Sequence, residues 1–259
     1  MNVKILTLLT VLGLIILINT ACGTVNNSPE DSIELKIAAA SGLTLPFTEI
    51  GQAFEQETGV KVTFSFGSTG QLADQILNGA PFDVFAAADI KFINNLAEKE
   101  LIVPKSKKIH ALGRIGMATL PDQEVIVETL HDLLKPEIKK IAIANPEHAP
   151  YGLAAKQSLE KAGIWEELQG KMVYGRNISD TLAYIETGNA EAGIIALSLY
   201  NEDAVNFHII DDTMHAPVEQ SIAVVRSTNQ VELAHEFIEF TMGPIGKPIM
   251  ENYGFIVPE

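Results

Sequence analysis

Residues 64–72 could bind an anion, because they place a strand-like segment, a turn of small residues and a helix start in direct succession. The turn runs through Gly67, Ser68, Thr69 and Gly70. Glycine leaves backbone N–H groups accessible, the first N–H groups of a helix have no partner within it, and both hydroxyls can donate. A capped helix start without a ligand has the same sequence, so this turn alone leaves both interpretations open.

Three further turns repeat this arrangement. Each consists of small or hydroxyl-bearing residues directly before a predicted helix, and they are Ala40-Ser41-Gly42, Ala149-Pro150-Tyr151-Gly152 and Asn177-Ile178-Ser179-Asp180. In open α/β sheets, ligands bind at the carboxyl ends of the strands, where the following helices begin. We therefore expect the four turns to meet around one anion, with each helix dipole adding positive potential.

The side-chain donors of these turns are neutral. They are the hydroxyls of Ser41, Ser68, Thr69 and Tyr151. Arg176 is the nearest basic residue, and Asp180 is expected to cap its own helix. Neutral donors without a carboxylate acceptor suit a fully deprotonated oxyanion better than phosphate, which near neutral pH keeps a proton that must be donated to an acceptor.

A serine hydrolase is the alternative from a different functional class, with His148 as the general base for Ser41. Neither Ser41 nor Ser68 lies in a Gly-x-Ser-x-Gly sequence, and no third residue suggests itself to orient the histidine. The remaining histidines lack metal-ligand spacing, and they are His110, His131, His208, His215 and His235. We expect a protein that is not an enzyme and that holds no cofactor and no free metal cation.

The elements that must position these turns alternate between strands and helices. Hydrophobic patterning predicts strands at 34–40, 61–66, 83–88, 109–120, 140–144, 171–174, 192–197 and 221–225. It predicts helices at 45–58, 70–78, 90–99, 152–162, 179–187 and 230–241. This order predicts an α/β fold with mainly parallel sheets, and nearly all-apolar strands such as 193–197 indicate sheets covered on both faces.

The amino terminus has the pattern of a secretory signal. Lys4 precedes an apolar run from Ile5 to Ile18, which is short for a membrane span, and small residues then lead to Cys22. This stretch resembles a bacterial lipoprotein signal, which implies a signal peptide at 1–21, lipidation of Cys22 and a polar tether at 22–32. Ordinary cleavage near Ala21, leaving a free thiol, is the alternative. As the single cysteine, Cys22 cannot form an internal disulfide.

The rest of the chain is predicted to form one globular unit with an acidic surface. Its length permits either one large domain or two lobes. The formal net charge is −15 at pH 7, and such a surface repels nucleic acids and anionic lipid headgroups. An anion site must therefore act through local dipoles and hydrogen bonds, against the field of the whole protein.

Together with the turns, several stretches resemble the molybdate-binding proteins of ABC importers. They are AAAS at 38–41, FGSTGQLA at 66–73, NGAPFDVFAAAD at 78–89, ANPEHAPYG at 144–152, TGNAEAG at 187–193 and YGF at 253–255, and they occur in family order. The resemblance implies the two-lobed type II solute-binding fold, in which each lobe is a mainly parallel sheet flanked by helices. It places the first lobe at 33–112 and 221–259 and the second at 113–220, with crossings near Gly113 and Gln220 that act as a hinge.

By the same resemblance, the oxyanion lies between the lobes. It would be bound by the hydroxyl and backbone of Ser41, by Thr69 and by the backbone at Tyr151 and Ile178, with Ser68 and Gly42 as further candidates. Some family members use a late-strand tyrosine hydroxyl where this chain has Ala196, and the nearby Ser198 and Tyr200 do not align with it.

The resemblance also implies the ligand and the partners. The ligand would be molybdate or tungstate, and another tetrahedral oxyanion such as chromate or sulfate is the alternative. The partners would be a membrane-embedded ABC permease and its ATPase. We expect a monomer that is anchored to the membrane by its lipid, lies outside the cytoplasm and binds no nucleic acid.

Overall fold

The computed structural model describes residues 33–122 and 125–258. The predicted signal peptide at 1–21, the tether at 22–32 and the lipidation site Cys22 lie outside the described residues. Within the described ranges, no helix is both long enough and apolar enough to cross a membrane.

The first sheet has five strands, in the order β2-β1-β3-β10-β4. They are β1 (Glu34–Ala40), β2 (Lys61–Gly67), β3 (Val84–Ala87), β4 (Lys108–Gly113) and β10 (Val218–Val224). β1 pairs in parallel with β2 and β3, whereas β10 is antiparallel to β3 and β4. Only β10 is reversed in this sheet, and the other strands share one direction.

The second sheet also has five strands, in the order β7-β6-β8-β5-β9. They are β5 (Ile115–Thr119), β6 (Ile141–Ala144), β7 (Met172–Gly175), β8 (Ala192–Ala196) and β9 (Asn206–Ile209). β6 pairs in parallel with β7 and β8, and β5 is antiparallel to β8 and β9. The second sheet therefore has the same pattern of strand directions as the first. Each sheet with its flanking helices is called a lobe below.

Helices flank both sheets because their apolar faces pack on the strands. They are α1 (Thr44–Thr58), α2 (Thr69–Leu77), α3 (Ile90–Glu98), α4 (Pro150–Lys161), α5 (Trp165–Leu168), α6 (Ile178–Glu186), α7 (Val231–Thr241) and α8 (Gly246–Asn252). In α1, the buried residues Phe47, Ile50 and Phe54 recur at helical spacing on one face. β3, β6 and β8 are buried along their whole length, as expected for strands covered on both faces. The predicted α/β class is confirmed.

The predicted strand at 109–120 is wrong, because it is two strands in different sheets. β4 ends at Gly113 and β5 begins at Ile115, so the chain crosses from the first sheet to the second at Arg114. Both segments are apolar, and hydrophobic patterning does not show where a chain changes sheets. On the return, the chain enters the first sheet at Val218, so Gln220, where a crossing was expected, lies within β10.

Candidate oxyanion-binding site

A small pocket lies where the carboxyl ends of strands from both sheets face each other. Its cavity volume is about 10 Å³, far less than the roughly 300–1,000 Å³ of sites for drug-sized ligands. It is lined by Ala40, Ser41, Gly42, Gly67, Ser68, Thr69, Ala88, Ala149, Pro150, Tyr151 and Ile178. The six residues that the sequence proposed for oxyanion binding therefore line a single cavity, together with parts of all four turns.

The first turn is a short 3₁₀ segment, Ser41–Leu43, between β1 and α1. Ser41 is buried, and its carbonyl oxygen accepts a hydrogen bond from Thr44 Oγ1 at 2.7 Å. Among the described residues, the Ser41 hydroxyl has no hydrogen-bond partner, so it can donate into the pocket.

The second turn separates the roles of two adjacent hydroxyls. Thr69 Oγ1 accepts a hydrogen bond from the Ala88 N–H at 3.1 Å, which leaves the hydroxyl proton of Thr69 available for a ligand. Ser68 caps α2 by accepting from the Gln71 N–H, and its oxygen lies 2.9 Å from the His148 carbonyl oxygen. The Ser68 hydroxyl is therefore engaged with the protein, whereas that of Thr69 can donate to an anion.

The third turn presents its backbone to the pocket. α4 begins at Pro150, and the N–H of Tyr151, in its first turn, has no partner within the helix. The Tyr151 hydroxyl, which the sequence grouped with the donors of the pocket, instead accepts a hydrogen bond from Gln220 Nε2 at 3.3 Å. Burial raises the pKa of this hydroxyl above its ordinary value, so it stays protonated.

The fourth turn also offers backbone N–H groups, at the start of α6. Its N-cap is Asn177, whose side chain accepts from the Asp180 N–H at 3.0 Å. The capping role that the sequence gave to Asp180 is therefore wrong, because its carboxylate pairs with Arg176 at 2.6 Å. The carboxylate raises the pKa of Arg176, and this guanidinium is exposed rather than in the pocket.

The electrostatics of the pocket come from dipoles. None of the residues that line it carries a charged side chain. The N-termini of α2, α4 and α6 contribute Thr69, Pro150, Tyr151 and Ile178 to its wall, and helix N-termini favour negative charge. The arrangement can therefore bind a small anion through N–H and O–H groups without a buried cation.

A hydrolase would require His148 to hydrogen-bond to Ser41, but the ring of His148 hydrogen-bonds to Ser68 instead. Its Nδ1 lies 2.7 Å from Ser68 Oγ, and its carbonyl oxygen accepts from the Gly70 N–H at 2.9 Å. Among the described residues, no acidic side chain hydrogen-bonds to His148. His148 thus joins the second lobe to α2 of the first, a contact that the sequence patterns did not reveal. The described part of the chain also contains no group of three His, Cys, Asp or Glu side chains placed to hold a metal ion.

Comparisons with known proteins agree with this architecture. Residues 35–256 match the family model described as bacterial extracellular solute-binding protein. The molybdate-binding protein ModA of Rhodobacter capsulatus is 31% identical over 88% of this chain and 90% of its own length. ModA of Azotobacter vinelandii is 32% identical over 86% and 89%. The putative ABC transporter substrate-binding lipoprotein YvgL of Bacillus subtilis is 30% identical over 89% and 90%.

Solved structures show the same fold. The Azotobacter vinelandii periplasmic molybdate-binding protein superposes with a TM-score of 0.82 at 27% identity, covering 87% of this chain and all of that one. The sulfate-binding protein SubI from Mycobacterium tuberculosis has a TM-score of 0.73 at 15% identity, covering 86% of each chain, and shares the fold alone. The predicted two-lobed type II fold is confirmed. The chain belongs to the family of bacterial extracellular solute-binding proteins.

Proposed function

We propose that this protein captures molybdate or tungstate outside the cytoplasm and delivers it to an ABC transporter permease. The observation that carries the proposal is the small pocket, into which four turns direct neutral donors and which no charged side chain lines. Two relatives, 31% and 32% identical in sequence to this chain, are named molybdate-binding proteins.

In the proposed site, the Ser41 and Thr69 hydroxyls and the N–H groups at Tyr151 and Ile178 bind the oxygens of the anion. Ser68 and Gly42 complete the wall. A hydrogen bond to a charged group contributes about 1.5–3 kcal/mol net. A few such bonds reach the roughly 8–12 kcal/mol of micromolar to nanomolar binding.

We further propose that the lobes close on the anion. The first lobe would comprise 33–112 and 221–259 and the second 113–220, joined by a hinge at the two crossings. Ser41 and Thr69 come from one lobe and Tyr151 and Ile178 from the other, so an anion that binds all four favours the closed form. The permease would recognise that form, and its ATPase would drive transport.

The lipid anchor is part of the same proposal. Cys22 follows a signal-like segment, and the Bacillus subtilis relative is named a lipoprotein. A monomer tethered through Cys22 would release its anion to the permease beside it. If a Cys22→Ser protein still fractionates with membranes in the native host, the anchor proposal is wrong.

A thermal-shift series tests the ligand. The protein is heated with molybdate, tungstate, chromate, sulfate or phosphate at equal concentration, because a ligand that binds only the folded state stabilises it by RT ln(1 + [L]/Kd). We expect a large rise in melting temperature with molybdate and tungstate and little with phosphate. No shift with any of the five anions would contradict the proposal.

Sulfate or chromate is the alternative ligand, since a sulfate-binding protein shares the fold. Calorimetric competition separates the two: sulfate that displaces molybdate at comparable concentration would assign the site to tetrahedral dianions in general. A hydrolase has no comparable support, because the Ser68 hydroxyl that His148 contacts caps α2.

A further inference from the structure

Two serines of the second lobe hold the backbone of the Ser41–Leu43 turn in the first. Ser179 Oγ donates to the Ser41 carbonyl oxygen at 3.2 Å. Ser198 Oγ donates to the Gly42 carbonyl oxygen at 2.6 Å. Of the two donors, Ser198 is the more deeply buried, with 4% of its surface exposed. Its bond is therefore a shielded hydrogen bond between the lobes, to a residue that lines the pocket.

Ser198 is itself held in place by both lobes. It lies in a short 3₁₀ turn, Leu197–Leu199, that follows β8. The Leu197 N–H donates to the Arg114 carbonyl oxygen at 2.9 Å, where the chain crosses between the sheets. On the other side the Leu197 side chain packs so closely on Gly254 that a Cβ there would lie 2.6 Å from Leu197 Cδ2. The Ser198 hydroxyl is thus presented from a fixed position next to the crossing.

Gly42 has no side chain of its own that could anchor the backbone of this turn. A Cβ at Gly42 would lie 2.7 Å from Tyr151 Cε2, so close packing against Tyr151 excludes any side chain at this position. Glycine has the largest backbone freedom. Because the peptide group is planar, a hydrogen bond that fixes the Gly42 carbonyl also fixes the N–H that follows it. The bond from Ser198 therefore restrains the turn that carries Ser41.

We propose that Ser198 is a positioning residue of the anion pocket. It does not line the pocket; it fixes the Ser41–Gly42 backbone when the lobes are closed, so that closure and the alignment of the donors occur together. The Ser198 hydroxyl therefore contributes to anion affinity without contacting the anion. This inference rests on the proposed function, because molybdate is the probe of the pocket.

The test compares four proteins: wild type, Ser198→Ala, Ser198→Thr and Ser158→Ala. Ser158 provides the matched control, since it is fully buried and its hydroxyl donates to the Ala154 carbonyl oxygen of its own helix at 2.9 Å. Calorimetry gives the molybdate Kd of each protein, and hydrogen exchange gives the protection of the Gly42 and Leu43 amides with and without molybdate. Thermal unfolding verifies that each variant is folded.

We expect Ser198→Ala to weaken molybdate binding by about 2- to 12-fold, the effect of one net hydrogen bond. It should also speed exchange at Gly42 and Leu43. Ser198→Thr should restore both properties, and Ser158→Ala should alter neither. Wild-type affinity in Ser198→Ala overturns the inference, and so does an equal loss in both alanine variants, which would indicate a general loss of packing.

Failure of the proposed function would give a different result from failure of the role inferred for Ser198. If wild type binds no oxyanion, the function fails and the exchange data alone decide the role of Ser198. Faster exchange confined to Gly42 and Leu43 in Ser198→Ala then supports the positioning role, and unchanged exchange overturns it.

Discussion

At the scale of single residues, Thr69 and Ser68 show how neighbours with similar side chains differ in function. Thr69 Oγ1 accepts from the Ala88 N–H and keeps its proton for a ligand, whereas Ser68 Oγ is engaged with His148 and Gln71. The difference depends on the contacts each hydroxyl makes in the fold. Thr69 is therefore the better side chain for measuring what a single hydrogen-bond donor contributes to anion binding.

Thr69→Ala should weaken molybdate binding by about 1–3 kcal/mol, the value of one hydrogen bond to a charged group. Thr69→Ser is the matched control, because it keeps the hydroxyl and should stay close to wild type. Titration calorimetry on the three proteins gives the comparison. If the alanine and serine variants bind equally well, Thr69 does not contact the anion.

His110 makes the stability of the protein depend on pH. It lies in β4 beside Phe47, with ring centroids 5.8 Å apart, and in the described structure neither of its ring nitrogens has a hydrogen-bond partner. Burial lowers the pKa of His110 to about 3. The folded protein therefore keeps this ring neutral, whereas the unfolded chain takes up a proton below a pH of about 6.5. Stability is fully present above that pH and falls as the pH drops from there towards about 3.

Between pH 7 and pH 5, this one group should lower the free energy of unfolding by about 2 kcal/mol. Urea unfolding at both pH values measures the loss, and other titrating groups add their own contributions. His110→Leu should therefore lose about 2 kcal/mol less than wild type, while the exposed control His131→Gln should lose as much as wild type. An equal loss in His110→Leu and wild type would show that His110 does not carry the pH dependence.

At the scale of elements, α2 contacts the second lobe at a position where only glycine fits. The Gly70 N–H donates to the His148 carbonyl oxygen, and a Cβ at Gly70 would lie 2.8 Å from His148 Cβ and 2.9 Å from that oxygen. Within a helix, alanine is more favourable than glycine by about 0.8–1 kcal/mol. A Gly70→Ala substitution would therefore stabilise α2 but hinder closure of the lobes.

Gly70→Ala should leave the melting temperature of the free protein unchanged or higher, yet weaken molybdate binding at least tenfold. Small-angle scattering should show a more open molecule in the presence of molybdate. Gly170→Ala is the control, since in the part of the chain that the structure describes a Cβ at Gly170 would meet no atom within 4 Å apart from its chain neighbours and any backbone of its own helix. Wild-type affinity in Gly70→Ala would mean that closure does not require this contact.

The sequence predicted most of the elements but not their contacts. Hydrophobic patterning placed β1 and α1 nearly to the residue, because β1 ends in an apolar run and α1 has a clear apolar face. β9 was missed, since it is a short edge strand with Asn206 and partly exposed residues. The hydrophobic pattern did not show the break at Arg114, although the family resemblance implied a crossing near Gly113. The orientation of the Tyr151 hydroxyl was beyond prediction, because it depends on residues distant in the chain.

At the scale of the whole molecule, the two lobes supply the pocket in equivalent ways. β1 and β2 occupy the same places in the first sheet as β6 and β7 in the second. The four turns follow these four strands, so each lobe contributes one turn from its outermost strand and one from the strand beside it. Two similar sheets that face each other thus place candidate donors on opposite sides of the pocket, which neither lobe achieves alone.

The net charge of −15 opposes the approach of a dianion, whereas the helix N-termini at the pocket attract it only at short range. Salt screens the long-range repulsion more than the short contacts, because the Debye length falls from roughly 30 Å at 0.01 M to 8 Å at 0.15 M. Molybdate affinity should therefore rise with ionic strength, by roughly a few-fold over that range. Calorimetry in sodium chloride, repeated in sodium acetate to detect competition by chloride, measures the effect. A fall in affinity in both salts would show that the potential at the pocket mouth is positive and outweighs the acidic surface.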